Sequence, residues 1–210
     1  MAAQVFAELG GEVTFEGAVN VGDTDMRPIL TEIASNPPAV LYFPIFEPES
    51  NFIAAQAQEI AGLEDTILMS ADGSLVDSFP ENTGAAAVGM YLSGPYLDPN
   101  NTDYADFLAK WDETFGGTPP SGFHAHAYDA TNMLLNAVEA VGQEAADGTL
   151  LIGRQALRDA LGATSGYAGL TGTLTCSETG DCATGEALGI YEVTQAEVDG
   201  NWPPPVIFTP

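Results

Sequence analysis

An α/β fold built on a mainly parallel sheet is what three features of the 210-residue sequence predict. Short apolar runs alternate with segments of helical period through the first half, the pattern of βα units. One of those runs, "AVLYFPI", is apolar throughout, as suits a central strand covered on both faces. From about Pro95 the texture changes to polar turn residues and then to helices, which marks a boundary between two lobes. No period of roughly 20–50 residues repeats, so the chain does not read as a solenoid.

The elements follow in order. The opening "MAAQVFAELGG" reads as the second half of a helix ending in glycines, without a capping segment before it, so the chain is expected to begin in mid-domain. "GEVTFEGAVNV" alternates like a strand. "DTDMRPILTEIASNPP" places Met26, Ile29, Leu30 and Ile33 on one helical face, with Asp25 as the expected N-cap and Pro37 as a stop. After the "AVLYFPI" strand come the helix "SNFIAAQAQEIAGL", the strand "DTILMS", and "TGAAAVGMYLSGP", which ends in another strand. Beyond Pro95, Tyr104, Phe107, Leu108, Trp111 and Phe115 keep helical spacing. "FHAHAYDATNMLLNAVEAVG" is a longer helix whose inward stripe is expected to be Ala127, Ala130, Leu134, Ala137, Val138 and Val141. Stripes of this kind read as core, not as cofactor contacts. "GRQALRDALGAT" is a third helix, "ALGIYEV" one more strand, and "NWPPPVIFTP" a proline-rich tail.

Composition narrows the function. Hydrophobic residues make up 45% of the chain, enough for a sizeable core. Thirty acidic residues oppose four basic ones (Arg27, Lys110, Arg154 and Arg158), a net charge of −26 that repels nucleic-acid phosphates and anionic lipid headgroups. No apolar run approaches the roughly 18–20 residues of a membrane-spanning helix, and no basic-then-apolar leader opens the sequence. Cys176 and Cys182 flank the turn-forming "SETGD" between two β-prone runs, and a hairpin disulfide there implies an oxidising, extracytoplasmic compartment. Two free thiols are the competing reading. Metal ligation is the third, and it lacks a further Cys or a nearby His.

The fingerprints of dinucleotide, P-loop and serine-hydrolase chemistry are all missing, so no cofactor is expected. His124 and His126 in "HAH" are two apart, on nearly opposite sides of a helix, where they do not chelate one ion; only in an extended segment ahead of the helix would they point the same way and suit a metal. In an open parallel sheet the remaining place for a site is beyond the carboxyl ends of the strands. Phe46 in "LYFPIFEPES" and Asp72 in "LMSADGS" both fall there, and they share one cleft if their strands are neighbours. Asp72 has a competing role as a helix cap, and Phe46 as a packing residue.

The sequence resembles the solute-binding proteins of ABC importers for branched-chain amino acids, of the leucine/isoleucine/valine-binding type. The resemblance is carried by "VNVGDTDMRPILTEIASNPPAVLYFPIFEPES", "LMSADGS", "FHAHAYDATNMLLNAVEAVG" and "ALRDALGATSGYAGLTGTLTCSETGDCATGEALGIYEV", in order and over nearly the whole chain. It implies a two-lobed, type I periplasmic-binding-protein-like fold that closes on a ligand, with parallel sheets flanked by helices. Residues 1–95 and 187–210 would form the second, ligand-binding lobe and 96–186 the C-terminal part of the first, whose N-terminal part is absent. It places Asp72 at the acidic position that pairs with a ligand's α-ammonium, Phe46 where tyrosine is common, and Phe123 where an aromatic of the other lobe covers the ligand. Phe46 lacks the hydroxyl, so a polar contact made there by tyrosine is lost. The implied function is binding, not catalysis: capture of an amino acid or amide for membrane permease subunits, outside the cytoplasm, with a lipid anchor ahead of this segment. The same fold also serves as the sensing domain of receptors and regulators, and a hydrolase using His124 or His126 is a third reading.

Overall fold

The structure is a computed structural model that describes residues 2–98, 100–119, 122–182 and 188–209. Its helices and strands are, in chain order, α1 (Ala2–Glu8), α2 (Arg27–Ala34), β1 (Val40–Tyr42), α3 (Glu49–Ala57), β2 (Ile67–Ser70), α4 (Ser78–Thr83), β3 (Tyr91–Pro95), α5 (Thr102–Phe115), α6 (His124–Val141), β4 (Gln143–Glu144), β5 (Leu150–Leu151), α7 (Arg154–Gly162), β6 (Tyr167–Gly169), β7 (Gly172–Leu174), β8 (Leu188–Glu192), α8 (Gln195–Val198) and β9 (Val206–Phe208). Short 3₁₀ turns lie at Asp72–Ser74 and Gly84–Ala87. The chain forms two compact units, one of Met1–Gly94 with Ile190–Phe208 and the other of Pro95–Gly189 with Thr209–Pro210.

The first unit is organised by a five-stranded sheet in the order β1-β2-β3-β8-β9. The pairs β1–β2 and β2–β3 are parallel, with Val40 opposite Ile67 and Met69 opposite Tyr91, whereas β8 and β9 are antiparallel. The sheet is therefore mixed, with parallel pairs at one end, as the expected mainly parallel sheet requires, and an antiparallel pair at the other. Its antiparallel edge comes from the tail: the prolines before residue 206 end, and Val206–Phe208, apolar and partly β-branched, pairs with β8. β1 lies at one end of this order, and Val40 and Tyr42 are exposed. The apolar "AVLYFPI" run is thus an edge strand and not the covered central strand its composition suggests.

α2 packs as its spacing predicts, burying Met26, Leu30 and Ile33 in a core with Phe43, Ile53, Leu68, Phe79, Met90, Leu92 and Val193. Burial of a side chain of this size contributes about 1.5–3 kcal/mol. The N-cap is Met26, with Pro28 in the first turn. Asp25 instead takes the guanidinium of Arg27 at 2.7 Å, an exposed pair of little energetic weight. Residues 11–21, expected as a strand, carry no ladder. Phe15 and Val19 pack against the core, but Val13 and Val21, which a strand would put on the same face, are exposed, so the alternation sets no continuous face and no neighbouring strand answers its amides.

Among the described residues, the second unit has three helices and two hairpins, β4–β5 and β6–β7, both antiparallel. α6 buries Ala125, Asp129, Met133 and Ala137. This stripe shares only Ala137 with the expected one, and Ala127, Ala130 and Leu134 are exposed. The shift has a polar cause. Asp129, 2% exposed, accepts hydrogen bonds from Leu170 N at 2.9 Å, Thr171 N at 2.9 Å and Thr171 Oγ1 at 2.7 Å. A buried carboxylate satisfied three times can occupy the middle of an inward face. A Cβ at Gly169 would come within 2.5 Å of that carboxylate, so the tight β6–β7 turn requires glycine.

The aromatic residues of α5 form a ladder, with centroids 6.4 Å apart for Tyr104 and Phe107, 6.1 Å for Phe107 and Trp111, and 4.7 Å for Trp111 and Phe115. None of α5 is buried, contrary to its reading as core. Cys176 and Cys182 are joined in a disulfide around a turn in which Ser177 N donates to Asp181 O. Strand β8 supplies part of the "ALGIYEV" run, and the segment expected to complete a hairpin after Cys182 lies outside the described residues.

Candidate functional site at the strand ends

The carboxyl ends of β1 and β2 are adjacent, because the two strands are parallel neighbours and Phe43 N continues the ladder to Met69 O at 2.9 Å. The chain leaving β1 reaches Phe46; the chain leaving β2 reaches Asp72. Gly73 brings them together: a Cβ there would lie 2.8 Å from Ile45 O and 3.0 Å from Phe46 Cδ1. The backbone after Asp72 therefore rests directly on the Ile45–Phe46 segment, which only a residue without a side chain allows. Gly94, at the end of β3, closes the other side, since a Cβ there would be 3.8 Å from the Asp72 Cα and 2.5 Å from Leu75 Cδ2.

Asp72 opens the 3₁₀ turn Asp72–Ser74 but does not cap it, because Ala71 is the N-cap and no side chain caps the turn. Its half-buried carboxylate accepts no hydrogen bond among the described residues. Neighbouring carboxylates differ in this respect. Glu47 accepts from Asn51 Nδ2 at 2.7 Å, from Asn82 Nδ2 at 3.1 Å and from the Ser78 hydroxyl, and Glu49 accepts from Gly22 N at 2.6 Å. Arg27 is the sole Lys or Arg in the sequence of this unit, and it is held by Asp25. A free carboxylate with no cation of its own is suited to a cationic group. Phe46 is 71% exposed, an apolar ring in need of cover.

Phe123 belongs to the other unit, at the N-cap of α6, and is 46% exposed. Its ring meets His126 edge-on with centroids 5.6 Å apart. His124 and His126 both lie in the first turn of α6 and have different surroundings. His124 Nε2 is 2.9 Å from the Tyr104 hydroxyl and its ring stacks on Phe107. Burial lowers the pKa of His126, and its Nδ1 is buried with no hydrogen-bond partner among the described residues. No group of three or more His, Cys, Asp or Glu side chains is placed to hold a metal ion among the described residues. An open depression of about 470 Å³ lined by Ala3, Ala7, Val13 and Phe15, among others, shares no residue with the strand ends.

The pairing of two serines was not read from the sequence, where Ser74 reads only as a candidate helix cap. Ser70 and Ser74 are fully buried, and their hydroxyls are 2.8 Å apart beneath the Asp72 turn. The spacing of the two serines in "SADGS" was the available signal.

A family model described as periplasmic binding protein matches residues 1–199. No curated protein matches the chain. Among solved structures, the leucine-binding protein LivK of Thermotoga maritima is similar at 24% identity and a TM-score of 0.71, over 91% of this chain and 51% of that one. The branched-chain amino acid substrate-binding protein LivJ of Streptococcus pneumoniae, in complex with isoleucine, is similar at 19% identity and a TM-score of 0.70, over 99% and 54%. A solute-binding protein from R. palustris in complex with benzoate matches at 20% and 0.70, over 98% and 52%. The chain thus spans about half the length of these structures, and likeness at this identity establishes the fold, a type I periplasmic-binding-protein fold with a mixed sheet flanked by helices. Proteins of that family bind ligands and are not enzymes, which removes the hydrolase reading of His124 and His126. With the match running through both units, the chain belongs to the periplasmic binding protein family.

Proposed function

We propose that this chain is the C-terminal portion of an extracytoplasmic solute-binding subunit of an ABC importer, and that the complete protein binds a branched-chain amino acid or a similar small zwitterion or amide. Residues 1–95 and 187–210 are then the ligand-binding second lobe, and 96–186 the C-terminal part of the first. One observation carries the reading: Asp72, whose carboxylate is unpartnered among the described residues, stands just past the carboxyl end of β2, next in sequence to Gly73, whose backbone rests on the segment that carries the exposed Phe46.

A zwitterion entering a site loses water around both charges, and a carboxylate at hydrogen-bond distance from its ammonium offsets that loss. The ring of Phe46 buries the ligand's apolar side chain. Asp72 works against an anionic group at the same place, which favours an amine-bearing ligand over an acid such as benzoate. The disulfide of Cys176 and Cys182 suits an oxidising compartment, and the partners are permease subunits, with the protein tethered by a lipid ahead of this segment.

A thermal-shift screen of the complete protein against branched-chain amino acids, short amides and urea-like compounds tests the reading. A rise in Tm confined to amine- or amide-bearing ligands is expected. No rise across the panel, or a rise with carboxylic acids alone, counts against it.

A further inference from the structure

We infer that Ser70 and Ser74 are positioning residues for Asp72, an inference that rests on the ligand-binding role proposed for that carboxylate. Ser70 is the last residue of β2, and Ser74 closes the 3₁₀ turn that Asp72 opens. Both have no exposed surface. The Ser70 hydroxyl donates to Phe43 O at 2.9 Å, and the two serine Oγ atoms are 2.8 Å apart. With the Ser70 proton committed to Phe43 O, the shared contact is made by the Ser74 hydroxyl donating to Ser70 Oγ.

The result is a relay from the chain leaving β1, through the end of β2, to the far side of the Asp72 turn. It acts together with Gly73, where an added Cβ would meet Ile45 O at 2.8 Å and Phe46 Cδ1 at 3.0 Å. The turn itself is closed by the backbone hydrogen bonds of Ser74 N to Ala71 O and Leu75 N to Asp72 O, both 3.0 Å. A three-residue 3₁₀ turn has poor intrinsic stability. Two buried hydroxyls whose hydrogen bonds end on a neighbouring strand are therefore what fixes where Asp72 stands relative to the β1 segment that carries Phe46. Rigid placement of this kind reduces the ordering cost of binding.

Two measurements on the complete protein test this, with Ser74→Ala and Ser70→Ala as variants. The first is amide hydrogen exchange without ligand. Exchange of the Ser74 and Leu75 amides is expected to accelerate tenfold or more, while the Phe43 amide of the β1–β2 ladder keeps its rate. Rates at Ser74 and Leu75 within about twofold of wild type overturn the inference whatever the ligand is. The second is calorimetric titration with isoleucine. Ser74→Ala is expected to weaken affinity by about five- to tenfold, with part of it restored in Ser74→Cys, which keeps a weak donor. In an Asp72→Asn background the loss should vanish, because the serines act through that carboxylate. An undiminished loss there overturns the inference and leaves only a general structural role. An Asp72→Asn variant that binds isoleucine as wild type does overturns the ligand reading instead, and the exchange data still decide whether the serines hold the turn.

Discussion

Asp129 grips Thr171 twice through one carboxylate oxygen, from the backbone amide at 2.9 Å and from the hydroxyl at 2.7 Å, while its other oxygen takes the amide of Leu170. Helix α6 and the β6–β7 turn are thus joined by one side chain buried between them.

Asp129→Ala is expected to leave two backbone amides and a hydroxyl buried without an acceptor. At about 1–3 kcal/mol for each such group, the total loss should be about 3 kcal/mol or more. Urea denaturation of the variant checks this. A change below about 0.5 kcal/mol, the size of an ordinary surface substitution, would show that the contact does not hold the turn.

Asp72→Asn keeps the shape of the side chain and removes its charge. Loss of one partner of a buried charge pair costs about 2–5 kcal/mol, so ligand affinity should fall roughly 30-fold or more in the complete protein. Calorimetric titration measures it, and unchanged affinity removes Asp72 from the site. Thermal stability should change little, because the carboxylate makes no hydrogen bond to the protein among the described residues.

At Gly73 even a methyl group is too much. An added Cβ meets the Ile45 carbonyl at 2.8 Å and the Phe46 ring at 3.0 Å, and a backbone carbonyl cannot swing aside. Gly73→Ala should destabilise by about 1–3 kcal/mol, the usual cost of overpacking, and should weaken ligand binding as Phe46 and the Asp72 turn are pushed apart. The midpoint of urea unfolding and a titration of the same sample report the two effects. A neutral result in both would show that the approach of the two segments is not tight.

His126 gives the fold a pH dependence. Burial lowers its pKa; the neighbouring Asp129 pulls it back up, and His124 lowers it further. The unfolded chain takes up the proton near the ordinary value of about 6.5, and the folded chain only at lower pH. Between those two values the unfolded state binds more protons, so stability falls as pH drops from about 6.5 toward the folded value and is fully present above it. Denaturation at pH 7.0 and 5.5 should show this loss, and His126→Gln should reduce it. An identical pH slope in the variant assigns the loss to other groups.

The sequence by itself determined which segments could be elements and, for α2, which face would be buried. Met26, Leu30 and Ile33 repeat at helical spacing and are buried together. Phe46 and Asp72 follow apolar runs and stand just beyond strands, because periodicity and punctuation are local properties written in consecutive residues. Tertiary structure alone decided which strands are neighbours. It put β1 at the sheet edge despite its apolar run, recruited Val206–Phe208 as the antiparallel strand β9, and left residues 11–21 without a ladder. It also decided which polar groups could be buried. Asp129 lies inside because the amides of a turn 41 and 42 residues away converge on it, and Ser70 because the Phe43 carbonyl is within its reach. A hydrogen bond across such a separation depends on how two segments meet in space, and no pattern within either segment encodes that.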